Sequence, residues 1–424
     1  MRLLIKNIKE LYQVEETPRT MVCGKEMASL PCIKDAYLLM EDEHIASFGT
    51  MHSLPQNLEA DKVIDATGKI VMPAFCDSHT HIVYAGSREM EFIDKINGLS
   101  YEEIAQRGGG ILNSAQRLHE ATEDELYAEA LVRVNEMISM GTGAAEIKSG
   151  YGLSTEDELK MLRVIRRLRE TTPLTIRATF LGAHAVPAAY KGRQTAYVDL
   201  IVNEMIPAVA SEGLADFVDS FCDKGFFTCK ETERIMEAGA RYGMRPKIHA
   251  NELALSGGIQ IGVKHHALSV DHLEFTGDAE IEALKGSGTM PTLLPGAAFF
   301  LGMNYPPARK MIDTGLPIAL ASDYNPGSSP SGNMKFILSL ATINMKLTPE
   351  EAINAATINS AYAMGISDTH GSICVGKRAN VLITKEISSL YFLPYAYTSD
   401  LIDCVILGGK VVPMPANEQF TNGI

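Results

Sequence analysis

The sequence predicts an α/β fold, a (β/α)₈ TIM barrel carrying a small β-sandwich domain formed by both chain ends. Three observations carry this. Eight apolar, strand-like runs recur through residues 68–367. Amphipathic stretches separate most of them, the signature of a parallel sheet with crossover helices. The head and the tail of the chain share short apolar runs broken by glycine turns, so the economical arrangement pairs them and inserts the barrel between. The small domain then takes residues 1–67 plus 368–424, and the barrel takes 68–367.

The elements follow in order. "DAYLLMEDEHIASFGT" places two short apolar runs around an acidic turn, a hairpin pattern. "KVIDATGKIVMP" is a further strand leading into the first barrel run, "IVMPAFCDSHTH". The other seven runs are "GAAEIKSG", "LTIRATFLGAH", "FVDSFCD", "RPKIHAN", "LSVDHLE", "TMPTLLP" and "PIALASD". Between them, "TEDELYAEALVRVNEMISMG" and "STEDELKMLRVIRRLRE" open on Thr or Ser followed by acids, as helices start. A doubly wound sheet is the competing fold. No G-x-G-x-x-G follows a strand, and the polar residues are spread over many run ends. The tail, "GSICVGKRANVLITK" and "DCVILGGKVVP", returns to short strands with glycine turns.

Composition bounds the function. The 424 residues are 46% hydrophobic, enough for a large core, with a net charge of -14. That charge argues against nucleic acid or an anionic membrane as the main partner. The expected partner is a small molecule, and a local arginine can still hold an anionic one. Seven scattered cysteines without paired spacing indicate a reducing, cytoplasmic setting. "MRLLIKNIKELYQ" lacks the apolar core of a signal peptide.

In a barrel of this kind the chemistry sits where the strands end. The first run ends on His79 and His81, one residue apart and on one face of the strand. The second ends on Glu146 and Lys148, and the third on His184. The fourth ends on Asp219, Cys222 and Asp223, and the fifth on His249 with Glu252 just beyond. The sixth ends on Asp271 and His272, and the eighth on Asp323. A lone H-x-H is more often incidental than ligating. Joined by a third histidine and an aspartate at other strand ends, His79, His81, His249 and Asp323 suit one divalent metal ion, Zn²⁺ or Fe²⁺/Fe³⁺. Asp77 is positioned to orient a ligand histidine. Lys148 reads either as a carbamylated bridging ligand of a two-metal site or, preferably, as an ordinary ammonium. Glu146 and Asp271 read as structural partners. Glu252, in the loop above the metal, can take a proton from water and return it to a leaving nitrogen. His272 can share that work or stabilise an oxyanion, unless it is a satisfied core histidine. No G-x-S-x-G supports serine chemistry.

Taken together, "VIDATGKIVMPAFCDSHTH", "KIHAN", "VDHLE" and "ALASDYNPG" resemble the amidohydrolase superfamily. "HIVYAGSREMEF", "GGGILNSAQ", "EIKSGYGLSTEDELKMLRVIRRL", "TFLGAHAVPAAYKGR" and "DYNPGSSPSGNM" narrow the resemblance to imidazolonepropionases. It covers essentially the whole chain. It implies a single metal and hydrolysis of 4-imidazolone-5-propanoate to N-formimidoyl-L-glutamate in histidine degradation. It matches His79, His81, His249 and Asp323 to the metal ligands, with Asp323 also counted among the catalytic residues beside Glu252 and His272. Arg88 matches the residue that holds the substrate carboxylate, which an arginine fork grips bidentately. Tyr151, His184, Glu252, Asn325, Gly327 and Ser328 match the remaining substrate contacts. A homodimer is expected by analogy alone. Two departures stand out: Ala74 where the family has Gly, and Cys76 where an aliphatic residue is expected. Ala74 raises the question of a backbone angle that glycine tolerates and alanine does not.

Overall fold

The computed structural model describes residues 1–99 and 109–413. Residues 414–424 of the tail, and Gly108 of the "GGGILNSAQ" stretch, lie outside the described residues. The strands form two eight-stranded sheets. The first is built from the head, β1 (Arg2–Tyr12), β2 (Cys32–Glu41), β3 (His44–Thr50), β4 (Lys62–Asp65) and β5 (Lys69–Pro73). It also takes β14 (Val381–Glu386), β15 (Ile402–Leu407) and β16 (Lys410–Val411) from the tail. Head and tail join where β14 runs antiparallel to β5, with Val381 opposite Pro73 and Ile383 opposite Val71. Inward side chains from this sheet, among them Ile5, Leu38, Ile45, Val71, Val381 and Ile406, meet in one buried cluster. The sheet therefore curls around a core of its own.

The second sheet is the barrel. In order it contains β6 (Phe75–Thr80), β7 (Thr142–Lys148), β8 (Thr175–Ala183), β9 (Phe217–Cys222), β10 (Arg245–Ala250), β11 (Ser269–His272), β12 (Met290–Leu293) and β13 (Ala319–Leu320). All neighbours pair parallel. Every residue of β6, β7 and β9 is buried, as expected of strands covered on both faces. The ring closes just past β13. The His81 N–H donates to the Tyr324 carbonyl at 2.9 Å, and the Asp323 N–H to the His79 carbonyl at 3.0 Å. Helices cover the outside, and their starts follow the sequence. Thr122 and Glu125 form a reciprocal cap on the helix Glu123–Ser139, and Ser154 caps Thr155–Thr171.

One residue, Ala74, carries the chain from the small sheet into the barrel. It is not among the residues with left-handed backbone, so alanine here carries no strain. Its methyl group instead fills the space left by Gly143 on β7, where an added Cβ would lie 2.6 Å away. The departure at position 74 is compatible with the barrel because its neighbour is glycine.

Candidate active site

The strand ends bring four donors together. His79 Nε2 lies 3.1 Å from His81 Nε2, which lies 3.4 Å from His249 Nε2. Asp323 Oδ1 is 3.6 Å from both His79 Nε2 and His81 Nε2. Ligands held 2.0–2.1 Å from a tetrahedral ion sit about 3.3 Å apart, so the spacing matches a shared cation. The protonation states match as well. His79 Nδ1 donates to Asp271 Oδ2 at 2.7 Å, which leaves Nε2 as a bare lone pair. Burial holds His79 and His81 well below the usual imidazole range, helped by Lys148 at His79 and by His184 at His81. Neutral imidazoles whose lone pairs face one another at contact distance form a cradle for a positive ion. The donor set suits a divalent metal.

A layer of buried charge supports these donors. Asp271 holds His79, and Asp219 Oδ2 lies 3.0 Å from His249 Nδ1. The expectation that Asp77 orients a ligand histidine is corrected here. Its carboxylate accepts from the Ser322 N–H at 2.9 Å and from Ser322 Oγ at 2.5 Å. Asp77 thus ties the first barrel strand to the last, and the orienting acids come from strands far away in sequence. Lys148 is an ammonium. It lies 2.6 Å from Glu146 Oε1, 2.9 Å from Asp219 Oδ2 and 3.6 Å from Asp271 Oδ2. These carboxylates outweigh desolvation and raise its pKa, which favours the ammonium over the carbamylated bridge. Glu146 also pairs with Lys247, in line with a structural part.

Above the donors opens a cavity of about 440 Å³. His81, His249 and Asp323 form its floor, and every proposed substrate contact lines it: Arg88, Tyr151, His184, Glu252, Asn325, Gly327 and Ser328. Glu252 is buried, and burial together with the charges of Asp323 and Asp223 pushes its carboxyl up to about 8. His272 Nε2 stands 3.6 Å from Glu252 Oε2, so His272 faces the cavity rather than the core. The His184 ring stacks on His81 at 5.3 Å and donates from Nδ1 to the Gly150 carbonyl at 3.0 Å. Burial drives its pKa down to about 3. Tyr151, placed in a loop by its flanking glycines, is only 2% exposed and its ring lies 5.4 Å from that of His184. Asn325 Oδ1 accepts from the N–H groups of Gly327 and Ser328 at 2.7 and 2.8 Å and so shapes the loop. Ser328 Oγ donates to Asp323 Oδ2 at 3.0 Å, leaving Oδ1 for the histidine cluster. Asp323, His272 and Leu273 all have left-handed backbone, a strain that collects at working sites.

Sequence reasoning gave no role to two features. Asp219 is visible as a strand-end acid, but its histidine lies on the next strand. Glu91, Phe92 and Phe300 come from helices and Phe226 from a loop, all outside the strand-end pattern; with Phe221, at the end of β9, the three phenylalanines form an aromatic wall.

Comparison with known proteins agrees with this geometry. The model of the amidohydrolase family matches residues 70–412. Over 412 residues the chain is 58% identical to an imidazolonepropionase of Flavobacterium johnsoniae, covering 97% of this chain and 100% of that one. The chain belongs to the imidazolonepropionase family of amidohydrolases. A more distant member, the imidazolonepropionase of Shouchella clausii, is 41% identical over 97% of this chain and 92% of its own. Among solved structures, a triazine hydrolase variant superposes with a TM-score of 0.74 at 15% identity, covering 97% of this chain and 94% of its own. An adenosine deaminase from Xanthomonas campestris with bound zinc gives 0.71 at 16%, covering 96% and 92%. These two show the shared fold. As a member of this family the protein is a hydrolase acting on a carbon–nitrogen bond. Among the described residues no helix is long and apolar enough to cross a membrane.

Proposed function

We propose that this family member hydrolyses the ring C–N bond of 4-imidazolone-5-propanoate to give N-formimidoyl-L-glutamate. One observation supports it above the others: Arg88 and the histidine–aspartate cluster open into the same cavity. A neutral ring would need no guanidinium there, whereas a propanoate does.

In this reading His79, His81, His249 and Asp323 hold one divalent cation, Zn²⁺ or iron; the donor set serves both. When bound, the ion supplies Lewis acidity toward the ring carbonyl and toward the attacking water. The chain's own groups do the rest. Arg88 binds the propanoate, while Tyr151 and His184 flank the flat ring. Asn325, Gly327 and Ser328 form the opposite wall. Glu252 takes a proton from the attacking water and passes it to the ring nitrogen as the C–N bond breaks. A carboxyl displaced upward by burial is suited to both roles near neutral pH. His272, kept neutral by burial, donates an N–H to the oxygen on which negative charge develops. The aromatic wall limits water in the cavity.

The partners are the small carboxylate substrate and, by analogy, a second copy of the chain; nucleic acid and membrane are not among them. All seven cysteines are free thiols, in keeping with a reducing cytoplasm. The test is direct. Purified protein incubated with imidazolone propanoate should consume the imidazolone absorbance. Deamination of a purine or pyrimidine with no loss of imidazolone would overturn the reading.

A further inference from the structure

Glu91 has no part in the chemistry above, yet Arg88 rests on it. Glu91 Oε2 accepts from Arg88 Nε at 2.7 Å and lies 2.6 Å from Nη2. The same carboxylate accepts from the Gly110 N–H and from Asn113 Nδ2, each at 3.1 Å. The two side chains are 10% and 14% exposed, so water screens the pair weakly. A guanidinium is a rigid fork of five N–H donors. Its Nε–Nη2 side is occupied by Glu91. What remains is the end, formed by Nη1 and the outer hydrogen of Nη2. Gly327 packs over the flat face of the guanidinium at Nη1 and leaves that end open: a Cβ at this position would overlap Nη1 and fall 2.7 Å from Cζ. Only a residue without a side chain leaves the guanidinium its place. The carboxylates of Glu252 and Asp323 face the same cavity and would attract an arginine that nothing else held.

We propose that Glu91 is the positioning residue of the carboxylate clamp. It occupies the side of Arg88 so that the guanidinium meets the substrate propanoate end-on, and it thereby sets the preference for the acid over its neutral amide. This rests on the reading of Arg88 as the clamp. Glu91 itself touches the arginine and not the substrate.

The experiment compares kcat/KM for imidazolone propanoate and for the corresponding propanamide in the metal-loaded enzyme. The variants are Arg88→Met, Glu91→Gln and the double substitution. Arg88→Met should bring the acid-to-amide ratio close to unity. Glu91→Gln should lower the ratio about tenfold, the loss of one charge-assisted contact's worth of alignment, mainly through KM with kcat little changed. The double variant should be no worse than Arg88→Met alone. If Arg88→Met leaves the ratio intact, the clamp reading fails and the inference with it. If Arg88→Met collapses the ratio while Glu91→Gln keeps it, or slows acid and amide equally, Glu91 is merely structural and the inference alone is overturned. Glu91→Asp, which keeps the charge on a shorter stem, should give an intermediate ratio and serves if the glutamine variant folds poorly.

Discussion

Lys148→Met removes the ammonium that pairs with Asp219 and Asp271, the acids beside two of the proposed ligand histidines. In the native cluster three carboxylates, Glu146, Asp219 and Asp271, face two ammonium groups, Lys148 and Lys247. All five side chains are fully buried. Methionine fills similar space but leaves Asp219 and Asp271 without their shared cation. Breaking a buried pair by removing one partner costs about 3–5 kcal/mol. With an unfolding entropy of about 2.1 cal/mol/K per residue, 424 residues give about 0.9 kcal/mol/K and a melting shift of about 3–6 °C. The metal should suffer too, because Asp271 and Asp219 fix the histidines that would bind it. Loss of such support typically weakens affinity by about 10–100-fold. The assay is chelator competition on the metal-loaded protein, with a thermal melt of the same sample. Adding Glu146→Gln restores the balance of charge and should recover much of the melting temperature, but not the metal affinity. An affinity within about twofold of the parent in Lys148→Met would refute the view that Lys148 aligns the ligands through their aspartates.

Other expectations are simpler to check. Glu252→Gln should retain its metal and lose about 10²–10⁴ in kcat; normal turnover would remove Glu252 from the proton path. His370 sits between the small sheet and β8, where burial and then the charges of Arg378 and Lys377 lower its pKa to about 4 from 6.5. Its folded pKa lies below its unfolded one. It therefore contributes stability fully above pH 6.5, and this is lost as pH falls toward 4, up to about 3 kcal/mol in all. His370→Gln should flatten the dependence of denaturant midpoint on pH across that window. An unchanged slope would assign the acid sensitivity to other groups.

The strand-end rule explains why so much of the site was legible. His79, His81, His184, His249, His272 and Asp323 all lie at or just past the carboxyl ends of parallel strands, and a barrel must gather such residues on one rim. Arg88 and Tyr151 follow strands within a few residues, so they too are close at hand. Pairings across the barrel were not legible. Nothing local distinguishes Asp77, which closes the ring through Ser322, from Asp271, which reaches His79 across 192 residues of sequence. Strand order and register decide that, and both emerge only when the sheet is assembled. Glu91 was hidden for a related reason. On the helix Glu89–Ile96 it reads as an ordinary first-turn acid, and its value lies in the edge of Arg88 that it covers. At Ala74 the sequence raised only the question of backbone angle; the neighbour that makes room for its methyl group, Gly143, lies on another strand.

In the proposed mechanism one metal ion, held by three histidines and Asp323, serves the same cavity as Arg88 in opening an imidazolone ring. Titrating metal-free protein with Zn²⁺ or Fe²⁺ while following imidazolone propanoate absorbance tests it most directly. Turnover should rise from near zero and saturate at one metal ion per chain. Full activity in the metal-free protein, or none at any metal content, would contradict the account.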